Sequence, residues 1–263
     1  ITQGKELGVY FYMYTGGEPL VRKDAAELVR MIKNIPGIDN VTLTTNGMLL
    51  GDQMEALAEA GIDAVNISLD ALSGEMFEKI TRRKGLDRVL EAMDKALQFP
   101  HVRVKVNCVL LHGVNEDQWI PIAGMAKDRP VDVRFIEMMP IGYGRKYCGE
   151  ETEDHVRHLL EEAYGKAVSL SGRFGNGPST YMLLDGFKGK IGFISAISHK
   201  FCGDCNRVRL TAEGFLKPCL QFSHGEDMRS LLRDGSSDAQ IGAVMEKTIF
   251  EKPCLLYTSD AAD

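Results

Sequence analysis

The alternation of two hydrophobic periods over residues 1–150 constrains this chain more than any other feature. Val9-Tyr10-Phe11-Tyr12-Met13-Tyr14 is a strand-like aromatic run that stops at Thr15-Gly16-Gly17-Glu18-Pro19, and Lys23 to Ile35 then shows helical spacing. The unit recurs, with strands at 40–44, 64–70, 101–111 and 131–137 set between helices at 52–60, 73–80, 86–97 and 115–127, the last capped by Asn115. Five strands separated by helices need crossover connections. They specify an α/β fold with a parallel sheet and right-handed crossovers, curved as a partial TIM-like barrel.

In such a sheet, ligands gather beyond the carboxyl ends of the strands. The unusual residues lie there: Gly16, Gly17 and Glu18 after the first strand, Thr44 to Gly47 after the second, Ser68 and Asp70 after the third. Lys105, Asn107, Arg134, Glu137 and Met139 fall on or near the ends of the last two. Strand alternation puts Arg103, Lys105 and Asn107 opposite Val102, Val104 and Val106. Paired glycines let a ligand approach the backbone, and Glu18 is placed to receive a cation such as an ammonium group. Each residue alone is explained by capping or a turn; five strand ends in register point to a ligand site.

After Gly149 the alternation stops, which marks 151–253 as a second module. It reads as a helix at 153–163, a glycine-rich loop at 173–179, short strands at 181–184 and 190–194, and helices at 227–232 and 239–249. Within it stands Phe201-Cys202-Gly203-Asp204-Cys205-Asn206-Arg207-Val208-Arg209, completed by Lys217-Pro218-Cys219. A C-x-x-C turn brings two thiolates to one metal, and a hairpin returns a third. Three sulfurs fit a zinc site that borrows His199 or His224, and equally an iron–sulfur cluster with one iron left for substrate. Alternation predicts Arg207 and Arg209 on one strand face with Val208 and Leu210 on the other, and two convergent guanidinium groups suit a phosphate.

A net charge of -6 argues against a general nucleic-acid or membrane surface, so anion binding must come from a local basic cluster. Six cysteines, three of them in one motif, fit a reduced cytoplasmic metal protein rather than a disulfide scaffold. No apolar run reaches membrane-spanning length, and no signal-peptide pattern opens the chain. Residues 1–7 read as the tail of a helix with further sequence expected before it; residues 254–263, Cys254 included, read as a non-native tail without a role.

Gly16-Gly17-Glu18-Pro19, Thr45-Asn46-Gly47, Ser68-Leu69-Asp70, Arg134-Phe135-Ile136-Glu137-Met138-Met139-Pro140 and the cysteine motif together resemble the GTP 3',8-cyclase family of radical S-adenosylmethionine enzymes. That family makes the first intermediate of molybdenum cofactor biosynthesis, and the likeness runs from Gly8 to Pro253. It implies a partial radical S-adenosylmethionine barrel over 1–150 and a C-terminal iron–sulfur and GTP-binding domain over 151–253. By position, it implies that Gly16, Gly17, Ser68 and Met139 bind S-adenosylmethionine, with Glu18 beside its amino group. Thr44, Lys105, Arg134, Arg207, Val208 and Arg209 would line the GTP site, and Cys202, Cys205 and Cys219 would hold a 4Fe-4S cluster. The implied reaction starts with reductive cleavage of S-adenosylmethionine at another 4Fe-4S cluster; the 5'-deoxyadenosyl radical takes hydrogen from ribose C3', and the C3' radical adds to guanine C8. A homodimer and a downstream cyclic pyranopterin monophosphate synthase belong to the same picture.

Three departures from the family pattern stand out. The C-x-x-x-C-x-x-C loop for the radical-generating cluster is absent from these 263 residues, and Cys108 and Cys148 lie too far apart to replace it, so the chain as given is expected to be inactive. Met13 stands where the family has a GTP-contacting arginine, and the family's terminal glycine pair is not found. Two other classes compete: a peptide-modifying radical enzyme with an auxiliary cluster, which predicts no GTP affinity, and a zinc-stabilised nucleotide-binding protein without catalysis.

Overall fold

The computed structural model describes residues 1–149, 152–172, 174–175, 177–200, 203, 205–221 and 224–252. After a short helix α1 (Thr2–Glu6), strands β1 (Phe11–Tyr14), β2 (Asn40–Thr45), β3 (Ala64–Ser68), β4 (Arg103–Leu110) and β5 (Asp132–Glu137) lie side by side in chain order, all parallel. Helices α2 (Ala25–Lys33), α3 (Leu50–Glu59), α4 (Gly74–Thr81), α5 (Leu86–Ala96) and α6 (Trp119–Asp128) connect them, as the alternation predicts.

Local chemistry sets the boundaries. Ser73 opens α4 by accepting a hydrogen bond from the Met76 amide. Gly47, after β2, has φ +81°, and a Cβ there would lie 2.8 Å from Val89 on α5, so only glycine allows this turn and this approach. Asn115 departs from expectation. It does not cap its helix, which begins with a 3-10 turn at Glu116–Gln118. Its buried side chain instead accepts from the Leu111 amide and Trp119 Nε1, and donates to the carbonyls of Asp70 and Val109. The first strand is also shorter than expected, starting at Phe11 rather than Val9.

The parallel register divides the sheet into two chemical faces. Val41, Leu43, Val65, Ile67, Val104, Val106, Cys108, Val133 and Phe135 are buried in the main core with the helices. Residues Thr44, Asn66 and Lys105 align across β2, β3 and β4, and Ser68, Asn107 and Arg134 align across β3, β4 and β5. Alternation therefore puts these polar residues together on the other face.

The sheet does not stop where the alternation does. Beyond α7 (Glu153–Tyr164), the strands β6 (Ala167–Leu170), β7 (Thr180–Leu184) and β8 (Ile191–Ile194) extend it in the order β1-β2-β3-β4-β5-β8-β7-β6, with β8 parallel to β5. The division expected near residue 150 is thus not a break in the sheet: β5 is hydrogen-bonded directly to β8.

The remaining strands β9 (Arg209–Leu210), β10 (Phe215–Lys217) and β11 (Glu226–Asp227) make a small antiparallel sheet, followed by α8 (Met228–Arg233) and α9 (Asp238–Phe250). Its buried core is Leu216, Met228 and Ile241. α9 packs on α1, with Met245 Cε against Gly4. The expected alternation through 207–211 is not realised: only Arg209 and Leu210 are strand, Val208 packs on this core, and Leu210 is 61% exposed. Among the described residues no helix is long and apolar enough to cross a membrane.

Candidate active site

On the polar face two cations are buried, Lys105 at 5% and Arg134 at 9% exposure. Their contacts are neutral. Arg134 donates from Nε to Asn107 Oδ1 at 2.8 Å and from Nη2 to Asn66 Oδ1 at 2.6 Å. Asn66 donates in turn to Thr44 Oγ1 at 3.2 Å and to the Leu43 carbonyl at 3.1 Å. Lys105 Nζ donates to the Phe174 carbonyl at 3.3 Å and to the Tyr181 hydroxyl at 3.4 Å. Asp132, which tempers both charges, is itself paired with Lys190 at 3.2 Å.

Burial and the neighbouring Arg134 push the Lys105 pKa down to about 8, and burial lowers that of Arg134. Arg207 joins them: burial lowers its pKa, the neighbouring Cys205 sulfur opposes that shift, and the positive charges of Arg209 and Arg134 add to it. An added Cβ at Gly177 would collide with its guanidinium group, and one at Gly175 would lie 3.2 Å from Lys105 Nζ, so the glycine-rich loop lies close to both cations. Buried cations with neutral partners raise one another's energy until an anion arrives. Such an arrangement is chemically suited to a polyanion.

At the strand ends, Gly16 and Gly17 face open space, with nothing within 4 Å of an added Cβ. Glu18 has partners of its own at this end of the sheet. It accepts from Thr45 Oγ1 and the Asn46 amide, each at 2.7 Å, and from the Leu20 amide at 3.1 Å, tying the first strand end to the second. Ser68 is exposed at the end of β3, level with Asn107, and Met139 is half-buried just past β5. Glu137 belongs to the scaffold: its buried carboxylate accepts from the amides of Glu153, Ile197 and Ser198.

Cys202 lies outside the described residues, as do residues 254–263 with Cys254. Cys205 and Cys219 are half-buried free thiols. β9 pairs with β10 through Arg209 and Lys217, so continuing that register by two residues returns Cys219 to the level of Arg207. His199, weighed as a zinc ligand, turns Nδ1 to Ser198 Oγ at 3.0 Å and to Glu153 Oε2 at 3.4 Å. Among the described residues no cluster of three or more His, Cys, Asp or Glu side chains suits a metal ion. Burial raises the Cys205 thiol, but the Arg207 amide, Lys252 and the Arg207 charge outweigh it and bring the pKa below the ordinary value. A thiolate there is a soft donor that fits an iron–sulfur centre.

Three participants escaped sequence reasoning: Asn66, Tyr181 and Lys252. Asn66 carried the only usable signal, a polar residue in the otherwise apolar strand Ala64-Val65-Asn66-Ile67.

Residues 1–126 match the Radical SAM superfamily, and residues 131–256 match Molybdenum Cofactor Synthesis C. GTP 3',8-cyclase of Clostridium perfringens strain 13 is 44% identical over 251 residues, covering 94% of this chain and 76% of the relative. The chain belongs to the GTP 3',8-cyclase family. Another member, from Syntrophomonas wolfei, is 42% identical over the same shares of both chains. Molybdenum cofactor biosynthesis protein 1 of Dictyostelium discoideum is 38% identical over 93% of this chain and 39% of its own. Among solved structures, Streptococcus suis SuiB bound to S-adenosylmethionine has a TM-score of 0.63 at 15% identity, covering 92% of this chain and 58% of that one; this likeness speaks to the fold alone. Membership implies 4Fe-4S clusters and S-adenosylmethionine; the open glycines at a strand end fit the latter and the free thiols of Cys205 and Cys219 suit one iron–sulfur centre, while the C-x-x-x-C-x-x-C loop for the radical-generating cluster is not among these 263 residues.

Proposed function

We propose that the polar face of the sheet is the GTP site of a GTP 3',8-cyclase acting in molybdenum cofactor biosynthesis. One observation carries the assignment: among the described residues, Lys105 and Arg134 are buried on neutral hydrogen-bond partners, with Asp132 shared with Lys190, and half-buried Arg207 lies close enough to feel the Arg134 charge. A triphosphate supplies the opposite charge. Thr44 and Asn66 set the angle of Arg134, and Arg209 extends the positive field outward. Met13, level with Thr42 on β1 and exposed, stands where the family pattern has an arginine.

S-adenosylmethionine is assigned to the open end of the strands, along Gly16, Gly17, Ser68 and Met139, with Glu18 holding the loop shape. Cys202, Cys205 and Cys219 are assigned to a 4Fe-4S cluster beside Arg207, with Val208 fixing that segment on the small core. When bound, the cofactors supply radical chemistry; the chain's own residues bind and orient the nucleotide. The reduced cysteines agree with a cytoplasmic protein, and the product would pass to a cyclic pyranopterin monophosphate synthase.

Titration of the anaerobically reconstituted chain with GTP, GDP and guanosine tests the reading. Affinity should fall in that order and weaken with added salt. Equal affinity for guanosine and GTP would remove the triphosphate from the site, and one zinc per chain without sulfide would remove the iron–sulfur assignment.

A further inference from the structure

Lys252 follows α9 and lies far in sequence from the cysteine motif, yet its ammonium group makes three contacts with it. Nζ donates to the Arg207 carbonyl at 2.6 Å, to the Cys205 carbonyl at 2.7 Å and to Cys205 Sγ at 3.3 Å. Two carbonyls pointing at one charge fix the path of the backbone from Cys205 to Arg207. The helix that precedes the lysine is itself anchored. Ser237 and Gln240 close a capping box at its start, and Ile241 and Met245 pack it on the small core and on α1.

We infer that Lys252 is a positioning residue that holds the Cys205 sulfur and the Arg207 guanidinium in one fixed relation, setting the electronic environment of a metal centre and the placement of a phosphate-binding arginine together. This rests on the reading of Cys205 as a cluster ligand and Arg207 as a GTP contact. An N–H···S hydrogen bond and a nearby positive charge both favour the reduced form of a thiolate-bound cluster, so the lysine raises the midpoint potential. The carbonyl contacts act separately, on the nucleotide side.

The test uses the 263-residue chain, reconstituted anaerobically with iron and sulfide, as wild type, Lys252→Met, Lys252→Arg and Lys247→Met. Lys247 is an exposed lysine on α9 itself, away from the cysteine motif in sequence. Lys252→Met should move the midpoint potential of the cluster to a more negative value and weaken GTP binding about tenfold, the loss expected for one charged hydrogen-bonding group. Lys252→Arg, which keeps charge and donors, should restore most of both, and Lys247→Met should change neither. If Lys252→Met retains the wild-type potential and GTP affinity, the inference fails. Should that variant not fold, Lys252→Arg decides: a potential and affinity near wild type support the inference, and losses of both as large as tenfold binding weakening overturn it. A wild-type chain that takes up no iron and sulfide, or binds no GTP, overturns the underlying assignment instead.

Discussion

The main sheet and the small C-terminal sheet differ in what holds them. Behind the main sheet a continuous core runs from Leu20 to Phe193, including fully buried Trp119, Phe135, Leu43, Leu50, Leu57 and Ile67. The small sheet rests on Leu216, Met228 and Ile241, with Leu210 and Leu232 left exposed. Burying a large aliphatic side chain contributes about 1.5–3 kcal/mol, and ordering each residue costs about 1–2 kcal/mol. The large core of the main sheet, with its helices, offsets most of that cost. The small one does not by itself, which is the usual situation of a unit whose metal contributes folding energy. The two cations on the main sheet are therefore preorganised, whereas Arg207 depends on the order of a unit that a cluster would complete.

Mutation should separate the two regions. Phe135→Ala removes a buried ring stacked at 6.1 Å on Phe193 and should cost about 3–5 kcal/mol of global stability in denaturant unfolding. Leu216→Ala should lower the main unfolding midpoint much less, because the small core bears little on the large sheet. Equal losses would mean that the two regions unfold as one.

Arg134→Ala should weaken GTP binding by about 2–3 kcal/mol, some hundredfold, because it removes a buried charge and leaves Asn66 and Asn107 without their partner. Calorimetry checks this, and an effect no larger than that of an exposed lysine such as Lys247 would contradict a preorganised site.

The pH dependence gives a smaller signal. With the Lys105 pKa lowered to about 8, GTP binding should be constant below that value and fall as pH rises through it, because the bound triphosphate favours the charged amine. In the free protein the sign is opposite. Between about 8 and the ordinary value of 10.5 the unfolded chain binds the additional proton, so stability gains with rising pH. Lys105→Met should flatten the binding profile.

Smallest is Asp70, whose carboxyl burial raises the pKa to about 6 although it accepts from the Val109 amide at 2.7 Å. The native state pays for ionising it above pH 6, and this cost fades as pH falls toward 3.8. Asp70→Asn, which keeps the acceptor, should raise the melting temperature by about 2 °C at pH 8 and leave it unchanged near pH 4.

Much of the main sheet was legible because period-two and period-3.6 runs are local signals. Strands β2 to β5 fall within a few residues of where their apolar patterns place them. The attachment of β8 to β5 was not legible, since Ile191–Ile194 is buried throughout and only long-range pairing chooses its neighbour. Part of the site follows the same rule. Lys105 and Arg134 announced themselves as charges in apolar strands, but Tyr181 reaches Lys105 only because β7 is laid antiparallel to β8. Glu137 looked like a site carboxylate because it ends a strand; its partners at Ile197 and Ser198 come from the loop after β8. Lys252 belongs to no motif, and its role comes from where α9 ends.

Amide hydrogen exchange on the chain before and after anaerobic reconstitution with iron and sulfide tests the contrast most directly. The account predicts that residues 205–221 gain strong protection on reconstitution while strands β2 to β5 keep the same slow exchange in both states. Equal protection of 205–221 without metal, or a parallel change in both regions, would contradict it.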